Sequence, residues 1–270
     1  MVTPKTAAPV SGTRARCDGR VVVITRPVGG GAALARAVRQ RGGVPVLLPG
    51  LALRGVDDVP AARQALREAL RADALIFTSP AAVRHAAALA PLRTTVSVLA
   101  VGQGTARALR RHGVGQVQAP ARQDSEGLLD LPALHDVHGR TVALVGAPGG
   151  RGLLRAALQA RGASVRQVHV YRRAPARLDR RHADAVRQLP SSARVLLSSA
   201  EAWHNLAAAL PPDAVARLCA AVAVVSSERL ATLAVQAGFA RIQRAASAMA
   251  GDLLDAAMAG PAPRLHTRSP

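Results

Sequence analysis

The sequence predicts an α/β protein made of two similar doubly wound units, each a parallel sheet with helices on both faces. Three observations carry this expectation. A stretch of about 120 residues occurs twice. Within each copy, short β-branched runs alternate with longer segments that place apolar residues at helical spacing. Gly42, Gly113, Gly162 and Gly238 each follow such a segment, where a helix ends on a left-handed residue.

The duplication is visible as a fixed offset. Arg20-Val-Val-Val-Ile-Thr-Arg-Pro-Val-Gly-Gly aligns with Arg140-Thr-Val-Ala-Leu-Val-Gly-Ala-Pro-Gly-Gly, 120 residues later. Without a gap, Leu34 then meets Leu154, Arg41 meets Arg161 and Gly42 meets Gly162. The same offset pairs Leu75-Ile-Phe-Thr-Ser79 with Val195-Leu-Leu-Ser-Ser199, and Pro91 with Pro211. After an insertion it becomes 125, pairing Gly113 with Gly238 and Leu128-Leu-Asp130 with Leu253-Leu-Asp255. In the first copy the runs 21–25, 75–77 and 96–101 read as strands; in the second, 141–145, 195–197 and 222–225. Segments around Leu34 and Val38, and around Leu66 and Leu70, read as helices. Strand–helix–strand alternation implies parallel sheets covered on both faces, and such folds bind ligands on loops at the strand carboxyl ends.

Composition narrows the class. The chain has 270 residues, 49% of them apolar, ample for two cores, and no apolar stretch long enough to span a membrane. Residues 1–19 mix Pro, Thr, Ser and Arg without an apolar core, so they read as a disordered leader and not a signal peptide; 260–270 read as a disordered tail. With only Cys17 and Cys219, a disulfide framework is not expected, and a cytoplasmic location is. The net charge is +20, and all basic residues but Lys5 are arginine. Two readings stay open: an anionic partner, or a solvated surface inflated by codon bias. The four aromatics, Phe77, Tyr171, Trp203 and Phe239, offer few stacking platforms for single-stranded nucleic acid, so no specific nucleic-acid partner is expected.

The chemistry-bearing positions cluster in turns after strands. These are Thr25-Arg26-Pro27, Thr78-Ser79-Pro80, Gly102-Gln103-Gly104-Thr105, Ser125-Glu126-Gly127, Gly149-Gly150-Arg151, Ser198-Ser199 and Ser226-Ser227. Hydroxyls there can cap a helix, and the free amides can hold an anion. Each turn alone suits capping; seven together favour a shared anion-binding cleft. Gly29-Gly-Gly31 and the glycines of 146–152 fit neither a dinucleotide fingerprint nor a phosphate loop, so no cofactor is expected. The eight histidines and two cysteines show no metal-ligand spacing, no nucleophile elbow is present, and the acids are not paired. A ligand site of hydroxyls, amides and arginines is what remains.

A series of segments then occurs in a telling order. It comprises Ile24-Thr25-Arg26-Pro27, Phe77-Thr-Ser-Pro-Ala-Ala-Val83, Ala100-Val-Gly102 with Thr105, Ser125-Glu-Gly-Leu-Leu129, Gly149-Gly-Arg151, Val170-Tyr-Arg-Arg173 and Val225-Ser-Ser-Glu-Arg-Leu-Ala231. This series resembles the bacterial uroporphyrinogen-III synthase family across about residues 20–258. The sequence departs from the family where relatives often carry Arg-Gly before Gly-Gly-Arg: here Gly146-Ala147 stand, which removes one anion contact. The resemblance implies two flavodoxin-like domains joined by a two-stranded connector, with the first strand–helix–strand of each repeat exchanged. One domain would be 20–53 plus 172–259, the other 54–171, with 53–58 and 171–175 as crossing strands. It further implies a cofactor-free lyase of tetrapyrrole and haem biosynthesis that closes hydroxymethylbilane to uroporphyrinogen III by positioning. Such a monomer would work off the membrane and meet hydroxymethylbilane synthase transiently. Tyr171 is the candidate for assisting hydroxyl departure, with packing at the domain junction as its alternative role. Thr25, Arg26, Thr78, Ser79, Gly102, Thr105, Ser125, Gly150, Arg151, Ser198, Ser199, Ser226 and Ser227 are the candidate substrate-binding residues. A two-lobed binding or sensor protein without catalysis is the competing reading.

Overall fold

The computed structural model describes residues 19–122, 124–149 and 152–260. The expected leader up to residue 18, the tail from 261, and the site candidates Gly150 and Arg151 lie outside the described residues. The chain begins β1 (Val21–Ile24), α1 (Ala32–Gln40), β2 (Val44–Leu47), β3 (Leu51–Gly55) and α2 (Val59–Ala69). It continues through β4 (Ala74–Phe77), α3 (Pro80–Leu89), β5 (Ser97–Ala100), α4 (Gln103–Arg111), β6 (Val117–Gln118) and α5 (Ser125–Leu129). The second copy supplies β7 (Thr141–Gly146), α6 (Leu153–Ala160), β8 (Ser164–His169), β9 (Tyr171–Pro175) and α7 (Arg180–Arg187). It ends with β10 (Arg194–Leu196), α8 (Ala200–Ala209), α9 (Pro212–Cys219), β11 (Val222–Val225), α10 (Glu228–Gln236), β12 (Arg241–Arg244) and α11 (Ala250–Met258).

Two units emerge: unit 1 contains residues up to Ala52 and from Pro175, and unit 2 contains Leu53–Ala174. Unit 2 holds a parallel sheet in the order β6-β5-β4-β7-β8. Unit 1 holds a parallel sheet in the order β12-β11-β10-β1-β2. Each sheet thus combines two strands from the start of one repeat copy with three from the end of the other. The chain changes unit twice, within β3 and within β9, which pair as a two-stranded sheet. The fold class expected from the sequence, two similar doubly wound α/β units, is the one observed.

Local sequence explains these elements. The inner strands, such as Ala74-Leu-Ile-Phe77 and Val222-Ala-Val-Val225, are continuous apolar runs because helices bury both faces. Leu75 and Phe77 point to the side of α2, α3 and α4, whereas Ala74 and Ile76 point to the side of α5 and α6. The outer strands β6, β8 and β12 carry too few apolar residues to be read as apolar runs, and the apolar β2 is broken by Pro45. Ser164-Val-Arg-Gln-Val-His169 has only two apolar residues, three apart, and is largely exposed, as an edge strand is. The glycine signal holds: Gly42, Gly113, Gly162 and Gly238 have φ of 81°, 83°, 80° and 87°, each one residue past a helix C-cap.

One boundary differs from expectation. The crossing strand placed at 53–58 runs Leu51–Gly55 instead, because Asp58 leaves it to cap α2, accepting from the Ala61 amide at 2.9 Å. The change of offset from 120 to 125 also gains a cause. Seven residues separate α3 from β5, but twelve separate α8 from β11, and the longer connection coils into α9.

Candidate functional site

In both units the central joint between β1 and β10, or β7 and β4, is where the order of strands reverses, the place such sheets leave a crevice at their carboxyl ends. Both joints are closed by the same strut. In unit 2 Thr78 Oγ1 donates to Val145 O at 3.1 Å; in unit 1 Ser198 Oγ donates to Thr25 O at 3.1 Å. A cavity opens beside each.

The unit 2 cavity has a volume of about 660 Å³. Its walls are the carboxyl ends of β7 and β8, the first turns of α3, α5 and α6, and the start of β9. Thr78, Ser79, Ser125 and Tyr171, all expected site residues, meet here. Ser79 caps α3, accepting from the Ala82 amide at 3.0 Å, and its Oγ also lies 3.3 Å from the Tyr171 hydroxyl, where either group can donate. The Tyr171 ring is buried and stacks on His85, with centroids 5.2 Å apart and planes at 20°. Burial, and after it the charge of Arg84, pushes the His85 imidazole below its ordinary value.

Several groups at this cavity were not singled out by sequence. Arg155, from α6, and Gln167 and His169, from β8, line it with no apolar run or turn motif to announce them. Asp124, and not Ser125, caps α5, its carboxylate accepting from Gly127 N at 2.7 Å and from Arg122 Nε at 2.9 Å. An Asp three residues before a glycine amide is a capping signal that a search for hydroxyls passes over. Arg173 donates to Pro148 O at 2.6 Å and Gly149 O at 2.7 Å, fixing the loop after β7, where Gly149 has φ of 72°. Gly146 has a steric reason for being glycine: a Cβ there would overlap Thr78 Oγ1.

The unit 1 cavity, about 300 Å³, is lined by Arg26, Ser198 and Ser226 among apolar neighbours. Arg26 stands 120 residues before Gly146 and reaches Ala248 O at 3.2 Å; burial lowers its guanidinium from the ordinary value. The structure separates the remaining candidates from both cavities. Thr25 is buried, its hydroxyl donating to Leu196 O at 2.7 Å and accepting from Ser198 N at 3.0 Å. Thr105 is buried within α4, and Gly102 is the N-cap of that helix. Ser199 and Ser227 cap α8 and α10, accepting from Ala202 N at 3.1 Å and Leu230 N at 3.4 Å. Among the described residues, no three His, Cys, Asp or Glu side chains gather as metal ligands would, and no helix is long and apolar enough to cross a membrane.

The family model for uroporphyrinogen-III synthase HemD matches residues 32–255, most of the chain. The chain belongs to the uroporphyrinogen-III synthase family. A member of that family from Salmonella typhimurium, described as uroporphyrinogen-III synthase, is 31% identical over 162 residues, 56% of this chain and 64% of the relative. The match therefore spans less than two thirds of that relative's length. Two solved structures are similar in fold. A mutant uroporphyrinogen III synthase from the extremely thermophilic bacterium Thermus thermophilus has a TM-score of 0.55 at 22% identity, covering 87% of this chain and 96% of that one. The enzyme described as uroporphyrinogen-III synthetase from Helicobacter pylori has a TM-score of 0.58 at 15% identity, covering 88% and 98%. At these identities the likeness is one of fold, and the family rests on the matching model.

Proposed function

We propose that this protein is a uroporphyrinogen-III synthase, closing hydroxymethylbilane to uroporphyrinogen III with inversion of the last ring and loss of water. The observation that carries the reading, beyond family membership, is the unit 2 cavity: a buried phenol whose hydroxyl meets Ser79 beside arginine and histidine side chains. The chemistry asks little of a protein. The nitrogen lone pair of the first pyrrole expels the hydroxyl as water once a donor supplies a hydrogen bond, and Tyr171 is that donor. The electrophilic methylene left behind is attacked by the substituted carbon of the last ring. That carbon's bond to the neighbouring methylene bridge breaks and re-forms at the ring's unsubstituted α carbon, so the ring is inverted and loses one proton. The proton lost balances the one carried off by the hydroxyl. What the protein adds is the fold of the chain at the moment of attack.

Binding energy comes from the substrate's carboxylates, remote from the reacting carbons. Ser125 and Arg155, which line the cavity that holds Tyr171, have the chemistry to take them. Within the same proposal the protein is monomeric and cytoplasmic and meets hydroxymethylbilane synthase transiently, because free hydroxymethylbilane closes unaided to isomer I. The test is direct. Purified protein is given freshly made hydroxymethylbilane and the isomers are separated. Isomer III is expected; isomer I alone, at the spontaneous rate, would overturn the reading.

A further inference from the structure

The repeat supplies an internal control on the corner that holds Tyr171. Ser79 and Ser199, 120 residues apart, have the same N-cap backbone, φ −166° and ψ 160°, and the same capping bond at 3.0 and 3.1 Å. The helices they start, α3 and α8, are both ten residues long. Where unit 2 has His85, Val170 and Tyr171, unit 1 has Asn205, Gly50 and Leu51 at the 120-residue offset. Asn205 Nδ2 donates to Gly50 O at 3.0 Å, Leu51 is buried, and a Cβ on Gly50 would overlap Ala202 O. The fold therefore closes this corner with an amide and an aliphatic side chain, and it requires neither a phenol nor an imidazole. A valine cannot sit where Gly50 sits, and in unit 2 the two stacked rings occupy the corner instead.

We propose that His85 is a positioning residue for the Tyr171 hydroxyl, its imidazole face fixing the plane of the phenol so that the hydroxyl stays at Ser79 on the cavity wall. The 3.3 Å contact between hydroxyls fixes one point of the buried ring, and the stacked imidazole, at 20° to it, sets the plane in which the phenol lies. His85 touches no reacting atom in this scheme. It rests on the functional reading above, and its test includes a measurement that does not.

Tyr171 is the chain's one tyrosine, so nitration with tetranitromethane, mapped by peptide mass, reports that ring alone. The variants are His85→Ala, His85→Phe, which keeps a flat stacking face, and His85→Ala in a Tyr171→Phe background. His85→Ala is expected to nitrate about fivefold faster than the parent, and His85→Phe within about twofold of it. In the isomer assay, His85→Ala is expected to lose about fivefold in kcat with KM within about twofold, His85→Phe to recover most of it, and the double variant to be no slower than Tyr171→Phe alone. An unchanged nitration rate in folded His85→Ala overturns the proposal whatever the activity, as does a further fivefold loss in the double variant. Faster nitration together with a parent protein that makes only isomer I supports the positioning role and overturns the functional reading instead.

Discussion

Tyr171 and Ser79 share one hydrogen bond, yet the two hydroxyls have different obligations. Ser79 already accepts from the Ala82 amide, so its loss costs helix stability as well as any role in the cavity. The phenol hydroxyl has no capping duty, which makes Tyr171→Phe the cleaner probe. We expect that variant to fold with an unchanged melting temperature and to form isomer III about ten- to thirtyfold more slowly, since the departing hydroxyl needs only modest help. A parental rate would remove Tyr171 from the chemistry. Cys219 makes the contrasting case of a reactive group made inert. Burial pushes its thiol up to about 11, and Sγ donates to Ala237 O at 3.1 Å. At neutral pH it is therefore almost wholly thiol, and in a Cys17→Ser variant the native protein should react with iodoacetamide about a hundredfold more slowly than the unfolded chain. Of the residues named from turn chemistry, Ser79 both caps a helix and lines a cavity, and the other serines divide. Ser199 and Ser227 spend their oxygens on their own helices, while Ser125, Ser198 and Ser226 face a cavity. One residue along the chain decides between the two, and a pattern of small hydroxyls does not carry that resolution.

At the scale of elements, the inner strands and the helix ends were legible because their causes are local. Burial on both faces demands unbroken apolar runs, and a left-handed residue past a helix demands glycine. The outer strands were not, since β8 mixes polar and apolar positions, β2 is half exposed and broken by Pro45, and both gain their conformation from a neighbour in the sheet. Nor does a repeat reveal which copy's strands pair, because both arrangements leave the same offsets. The joint between β7 and the turn after β4 offers a test of packing at this scale. With Gly146 pressed against Thr78, a Gly146→Ala change must move a backbone segment or break the Thr78 strut. We expect it to destabilise the protein by about 1–3 kcal/mol in denaturant melts, and a second change, Thr78→Ala, to recover part of that loss by making room. Glycine at 146, a departure from the family pattern, fits the close approach of the Thr78 side chain in unit 2. Unit 1, with Ser198 in the role of Thr78, carries Arg26 there.

For the molecule as a whole, the charge of +20 left two readings open, a polyanionic partner or an inflated solvent face. The structure adds a third use. Arg20 and Arg194 both donate to Ala257 O at the end of α11, Arg161 donates to Leu129 O and Leu134 O, and Arg241 donates to Ser191 O and Ala220 O. Guanidinium groups here tie off carbonyls that helices and turns leave unpaired, so part of the charge is a by-product of holding the backbone. The family and fold class could be named from residue order and duplication. The membership of the cavities could not, because Arg155, Gln167 and His169 come from a helix and an edge strand that carry no motif. A prediction at this scale concerns autonomy. The segment 53–174 is contiguous and contains all five strands of its sheet, so expressed alone it should give a cooperative melt. The first repeat copy alone, 1–139, has three strands of one sheet and two of the other, and should give none.

The exchange of strands between copies also sets an order of events on the ribosome. β1 and β2 leave it early, but β10, the inner partner of β1, follows about 150 residues after the end of β2. At the usual ~5–20 residues per second, an apolar strand such as Val21-Val-Val-Ile24 waits roughly eight to thirty seconds for its inner neighbour, and longer for the β11 and β12 that complete the sheet. Unit 2 can close in the meantime. The first strand made is among the last to be sheltered, and the stretch before Leu53, where the chain enters unit 2, is where a chaperone would find the most to hold.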